Sequence, residues 1–411
     1  MLRIILPILF IFFNISFSSI PWPPKVAYFD QYIDHYSFSA ISGKKFKQKY
    51  LYEDKFFLGD GPIFFYCGNE GSIESFWNNT GLMFEIAPIF NSLIVFGEHR
   101  YYGESLPFTD SFKQPNIQFL SIEQALADYV YLIKEIRLKF KAPNAPVIAF
   151  GGSYGGELAA YMRMRYPDIV TGAISASSPL YWTSGERNIH DFFVAVTKDY
   201  AGANKRCPPL FKSAFNKIIS TRDYELVSKQ MQVCDEIKTE TELKWMMKWA
   251  RNAFVMMSMM DYPYPSSFMS VLPANPVNAS CDAALKMSNP IEGLREAIGI
   301  LYVKDAKRNC YDYKSQYIEC ADITGCGLGN DAMAWDFQAC TQIHLYDDSK
   351  STTDMFPDLP LTKSFVEKYC LLRWGVSRHE TQLSTLFPLN NWSNYKNIIF
   401  SNGVRDPWMN G

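Results

Sequence analysis

The stretch that decides the fold is Val147-Ile148-Ala149-Phe150-Gly151-Gly152-Ser153-Tyr154-Gly155-Gly156-Glu157-Leu158-Ala159-Ala160. A β-branched apolar run enters it and a helix-forming run leaves it. Between them, Gly151 to Gly155 matches G-x-S-x-G, the pattern of a sharp strand-to-helix turn that holds a serine in a strained, exposed conformation. A Cβ at Gly151 or Gly155 is expected to clash with the adjoining strand or helix. The first turn of the helix aims free backbone N–H groups back at Ser153, where a developing oxyanion would sit.

Working outward, further apolar runs stop at polar loops. Pro62 to Tyr66 ends in Cys67-Gly68-Asn69-Glu70-Gly71, and Ser92 to Phe96 ends in Gly97-Glu98-His99-Arg100. Both read as buried strands that deliver residues to one sheet edge. Phe29 to Phe57 is aromatic-rich and alternates in places, which predicts strands or a hairpin. Ser121 with Gln124 predicts a capping box, and Ile122, Ala125, Leu126, Tyr129, Leu132, Ile133 and Ile136 follow a helical period. Gly172 to Ala176 is a further strand. The strand–helix–strand alternation predicts an α/β fold with a parallel sheet and right-handed crossovers.

From about Asn188 strand-like runs vanish and helical ones take over, such as Leu243 to Met260 and Ile291 to Tyr302. The expected organisation is a signal over 1–19, a first core part over 20–187, a helical disulfide-stapled cap over 188–375, and a second core part over 376–411. The methionines from Met246 to Met260 are expected to be core rather than a binding surface. The core resumes at Asn397 to Ser401, which ends in Asn402-Gly403-Val404-Arg405-Asp406-Pro407-Trp408.

The 411 residues carry a net charge of −2, so nothing suggests a nucleic-acid partner, and 16% aromatic residues argue for a large core. Arg3, the apolar run Ile4 to Phe17 and the small Ser18-Ser19 read as a cleaved secretory signal. No later run is long and apolar enough for stable membrane insertion. Nine cysteines fit an oxidising compartment; eight lie between Cys207 and Cys370, and Cys67 is the expected buried leftover thiol. Sequons at Asn78, Asn278 and Asn391 are candidate glycosylation sites. No metal or cofactor is expected.

A hydroxyl is a poor nucleophile unless an imidazole takes its proton and a carboxylate fixes that imidazole's tautomer. Asp406, just past a late strand, stands where the acid belongs. The five histidines, His35, His99, His190, His344 and His379, all precede it. His99 is the one to consider, against the reading that it is structural or positions substrate. The expectation is therefore a C-terminally truncated sequence with negligible turnover as written.

Together these motifs resemble the serine exopeptidases that include lysosomal prolylcarboxypeptidase, dipeptidyl peptidase II and the thymus-specific serine protease. The matching stretches are Asp34-His35-Tyr36, Gly68 to Gly71, Gly97 to Ser105, Gly151 to Gly156, Trp335 to Thr341, and Ser401 to Trp408. The resemblance implies an α/β-hydrolase core with an inserted cap, peptide substrates cut next to proline, and a lysosomal or extracellular destination. It makes Ser153 the nucleophile and Asp406 the triad acid. It implies oxyanion donors at the Tyr154 backbone and in the Gly68–Asn69 loop, and a pocket that includes Glu157 and Trp408. It also implies disulfides Cys207–Cys281, Cys234–Cys310 and Cys340–Cys370, with Cys320 and Cys326 left as a local pair. Two departures stand out. Glu157 replaces a pocket methionine of relatives, and is read either as a costly carboxylate in an apolar slot or as a first-turn residue turned to solvent. Gln342 replaces a glutamate whose loss would weaken an aminopeptidase reading if that group binds the substrate amine. The alternative function is a catalytically inactive hydrolase-fold protein that binds peptides or a partner; an ester or lipid hydrolase is weaker. The sequence leaves open which peptide end is attacked, and whether the chain forms a homodimer.

Overall fold

A computed structural model describes residues 22–37, 41–186 and 191–411. The signal expected over 1–19, His190 and the expected start of the cap at 188 lie outside these residues. Among the described residues nine strands are formed: β1 (Lys25–Tyr32), β2 (Lys45–Glu53), β3 (Ile63–Cys67), β4 (Leu93–Gly97), β5 (Val147–Gly152), β6 (Gly172–Ala176), β7 (Asp348–Ser349), β8 (Leu359–Pro360) and β9 (Ile398–Ser401). Seven of them make one sheet in the order β1-β2-β4-β3-β5-β6-β9. β1 and β2 form an antiparallel pair, with Lys25 opposite Tyr52, and β2 runs antiparallel to β4. From β4 to β9 every pairing is parallel.

Side-chain alternation sorts the sheet into two faces. Ile63, Phe65, Leu93, Val95, Val147 and Ala149 join one apolar cluster, whereas Phe64, Tyr66, Ile94, Phe96 and Phe150 join another. Both faces are covered, which is why β3 and β4 read as unbroken apolar runs. The first face is backed by the helix Ile122–Lys139. Its Ser121 cap accepts the Gln124 N–H, but the expected box forms only by half. The Gln124 side chain instead donates to Asp34 and accepts from the His35 N–H. The Asp34-His35-Tyr36 run is thereby tied to the helix start. Two short helices, Ile73–Asn79 and Leu82–Phe90, occupy a stretch to which the sequence reading assigned nothing.

Among the described residues between β6 and β9 the regular elements are helices apart from the two-residue pair β7–β8, with three isolated bridges besides. Disulfides link Cys207 to Cys281, Cys234 to Cys310, Cys320 to Cys326 and Cys340 to Cys370; Cys67 is a buried free thiol. Apolar residues of these helices, including Phe211, Trp249, Phe254 and Phe337, belong to the same cluster as the first sheet face. The molecule is an α/β-hydrolase core carrying a disulfide-stapled helical cap. Among the described residues, no helix is long and apolar enough to cross a membrane.

Candidate active site

Ser153 sits between β5 and the helix Tyr154–Arg165 with φ 54° and ψ −129°, a conformation costly for any residue bearing a Cβ. The turn is held by its surroundings. Ser153 N–H donates to the Ala176 carbonyl at 2.9 Å, and Glu157 N–H donates to the Ser153 carbonyl at 3.1 Å. A Cβ on Gly151 would fall 2.0 Å from the Gly155 carbonyl oxygen, and one on Gly155 would fall 2.7 Å from that of Cys67. The glycines therefore let the helix start press against both its own strand and the loop after β3. Ser153 itself is exposed.

It opens onto a cleft of about 2160 Å³ whose walls come from both core and cap. Asp406, Glu157, Trp408 and Glu70 line the same cleft. Asp406 caps the short turn after β9: its Oδ1 accepts the Trp408 N–H at 3.0 Å. Its buried Oδ2 has no partner among the described residues, and so remains open to an imidazole N–H. The Trp408 indole lies 4.5 Å from the Phe192 ring and donates to Met259 Sδ at 2.9 Å. Met259 and Met260 thus belong to the cleft wall, while Met246, Met247 and Met257 are core as expected for the stripe.

Two sequence expectations shift with the geometry. Gly68 cannot supply the second oxyanion donor, because its N–H donates to the Gly97 carbonyl at 3.0 Å. The next residue in that loop is better placed: Asn69 packs against the elbow, its Oδ1 2.9 Å from where a Gly155 Cβ would lie, and its N–H makes no hydrogen bond among the described residues. Tyr154, first residue of the helix, has no intrahelical acceptor for its own N–H. His99 is not a base for Ser153. Its ring Nδ1–H donates to the Arg100 carbonyl at 2.7 Å, so Nε2 is the acceptor, and it is spent on the Tyr154 hydroxyl at 3.0 Å. That hydroxyl in turn accepts from Gln338 at 2.7 Å, and Gln338 accepts from Tyr102. Burial lowers His99 to about 4, which keeps it neutral. The other described histidines stand apart from the cleft. His35 pairs with Asp128 at 2.8 Å, His344 is buried and lowered to about 4 by burial and Arg378, and His379 is exposed on a loop.

Glu157 is 1% exposed, so it is not turned to solvent. Its Oε2 is buried without a partner among the described residues; burial raises its carboxyl well above the usual range, against the opposing pull of the Thr183 hydroxyl. Gln342 lies away from the cleft. It accepts the Ile122 N–H at 2.8 Å and donates to Glu123 at 2.7 Å, so its identity bears on a helix start and not on substrate amines. Two cleft residues were given no role from sequence. Glu70 is pushed up to about 7 by burial and by Asp322 nearby. Asp322, raised by burial, accepts from the Trp335 indole at 2.8 Å. Only the quoted Gly-Asn-Glu-Gly run could have signalled Glu70, and nothing local signals Asp322. Among the described lining residues Arg405 is the sole lysine or arginine, and it faces Asp261 at 3.4 Å. The sequons Asn78, Asn278 and Asn391 are all exposed, and Asn78 stands on the cleft rim.

A serine on a strained elbow, a strand-end aspartate with an open oxygen, and backbone donors beside the serine define a serine hydrolase on an α/β scaffold. Comparison with known proteins narrows the class. The model of the serine carboxypeptidase S28 family matches residues 31–411. Lysosomal Pro-X carboxypeptidase of Homo sapiens is 35% identical over 396 residues, covering 94% of this chain and 78% of that protein. Prolyl carboxy peptidase like protein 5 of Caenorhabditis elegans is 34% identical over 398 residues, covering 91% and 77%. An α/β hydrolase structure from Novosphingobium aromaticivorans aligns with 15% identity and a TM-score of 0.27, over 37% of this chain and 43% of that one. The chain belongs to the serine carboxypeptidase S28 family.

Proposed function

We propose that the chain acts in the secretory pathway, in a lysosome or outside the cell, as a serine exopeptidase that cleaves peptides next to proline. The observation that carries this is Ser153, exposed on its elbow in the same cleft as Asp406. In this reading Ser153 Oγ attacks the scissile carbonyl carbon and its proton passes to an imidazole that Asp406 Oδ2 would orient, a base that none of the four described histidines supplies. The Tyr154 and Asn69 N–H groups hold the oxyanion. The C–N bond then breaks as the imidazole returns the proton to the leaving amine, and water repeats the sequence on the acyl-enzyme. Trp408 supplies the flat apolar wall that a proline ring fits. The names of the Pro-X relatives favour release of a C-terminal residue after proline. The acidic lining of Glu70 and Asp322, with only Arg405 opposing it, favours holding a free amine, as a dipeptidyl peptidase would.

The test is labelling by a fluorophosphonate probe, with Ser153→Ala as control, followed by cleavage of peptides with proline at either end. Labelling and cleavage that vanish in Ser153→Ala while the variant still folds support the reading; activity that survives the substitution refutes it. A second reading, a hydrolase shell that binds peptides without cutting them, is favoured by one observation: none of the four described histidines lines the cleft. Peptide binding without Ser153 labelling would establish it.

A further inference from the structure

Glu157 lies one helical turn beyond Ser153, with its N–H on the Ser153 carbonyl. Residues i and i+4 share one helix face, and both line the same cleft. The side chain is 99% enclosed, since only 1% of its surface is exposed. The Thr183 hydroxyl, which donates to the Pro179 carbonyl at 3.0 Å, lies beside it and favours its ionised form, but burial outweighs this. One carboxyl oxygen, Oε2, is buried and without a partner among the described residues. Tyr161, on the next turn, carries a second buried hydroxyl with no hydrogen-bond partner beside this carboxyl. A buried polar atom left unmet is expensive, and a ligand group that hydrogen-bonds it recovers that free energy.

We infer that the floor of the slot beneath Ser153 selects a residue whose side chain carries a hydroxyl, a hydroxylated proline above plain proline, through a hydrogen bond between that hydroxyl and Glu157 Oε2. The hydroxyl is the fitting partner because it both donates and accepts, and so meets a neutral carboxyl whichever oxygen holds the proton. An ammonium would require that carboxyl to ionise in a site where burial opposes charge. Trp408 covers the ring, and Glu157 reads the substituent. The inference rests on the peptidase reading for where the acyl residue sits, and it names the residue class that the slot takes.

Calorimetry with the full chain and two dipeptides, Ala-Pro and Ala-4-hydroxyproline, tests it without requiring turnover. Both are acyl products for either type of exopeptidase. The expected result is about tenfold tighter binding of the hydroxylated dipeptide, the worth of one neutral hydrogen bond. Glu157→Gln, which keeps a carbonyl acceptor, should retain the preference; Glu157→Leu should abolish it. Equal affinities in the unsubstituted chain, or a preference that persists in Glu157→Leu, would overturn the inference. Should neither dipeptide bind while Ser153 still takes the fluorophosphonate, the slot assignment falls and the peptidase reading stands. If Ser153 also resists the probe, both fall.

Discussion

Glu98 should make this protein more stable in acid than at neutrality. The residue follows β4 and is fully buried. Its carboxyl accepts from the Ile73 N–H at 3.2 Å, the Glu104 N–H at 3.0 Å and Ser105 Oγ at 2.6 Å. Burial nevertheless dominates, and raises it from 4.5 to about 7, against the opposing pull of those bonds and of Lys49. The folded state therefore keeps a proton that the unfolded chain releases. Its contribution is fully present below about pH 4.5 and is lost as the pH rises through about 7. At 1.36 kcal/mol for each pH unit, the interval corresponds to about 3 kcal/mol. Glu98→Gln is neutral throughout and should flatten the profile by about that amount. The assay is guanidinium unfolding at pH 5, 6 and 7 with disulfides intact, followed by the fluorescence of the nine tryptophans. An identical slope in the variant and the parent protein would refute the reasoning, because it would mean that Glu98 is charged in the fold.

Two glycines of the elbow should behave oppositely. Gly155→Ala places a Cβ 2.7 Å from the Cys67 carbonyl and 2.9 Å from Asn69 Oδ1, and should slow fluorophosphonate labelling on the order of 100-fold by displacing the oxyanion donors. Gly152→Ala meets nothing within 4 Å and should label at close to the parent rate; equal rates for the two variants would show that the packing of the elbow does not set its reactivity. Arg100→Met leaves the buried Asp128, which Arg100 grips with two bonds of 2.6 Å, with His35 as its remaining side-chain partner, and also leaves the Ile33, Tyr32 and Phe119 carbonyls without that donor. The expected loss is about 3–5 kcal/mol in chemical unfolding, and a change below about 1 kcal/mol would remove this pair from the account of the fold.

The sheet was legible because burial on both faces writes itself into β3, β4 and β5 as apolar runs, and because the elbow needs glycine where a strand meets a helix. Ser153 and Asp406 were legible for the same reason: each ends a strand, and that position is local information. Glu157 was not. A glutamate in a helix's first turn ordinarily meets water and the helix dipole, and only the packing of Tyr154 to Met162 on nearly every side removes that choice. The roles of His99 and Gln342 depend on partners far along the chain. The Gln338 that completes the His99–Tyr154 network is 184 residues from Tyr154, and the Ile122 N–H that Gln342 accepts is 220 residues away. The capping box failed by half because Asp34 and His35 compete for the Gln124 amide, a contact that no helix rule contains.

Glu70, Glu98 and Glu157 are raised by one cause, the loss of water around a carboxyl, yet they do different work. Glu98 spends its oxygens on the loop that carries His99 and Arg100, so its proton acts on stability. Glu70 and Glu157 face the cleft, and Glu70 is among the causes that push Glu157 up. Charging Glu70 makes charging Glu157 harder. In acid the floor beneath Ser153 is therefore a neutral hydrogen-bonding surface. Toward neutral pH, Glu70 at about 7 ionises. Negative charge then arrives on the cleft wall shared with Asp322, where it opposes ionisation of Glu157. A pH change near neutrality therefore acts on the charge of the cleft wall through Glu70, whereas burial holds the Glu157 carboxyl well above the usual range.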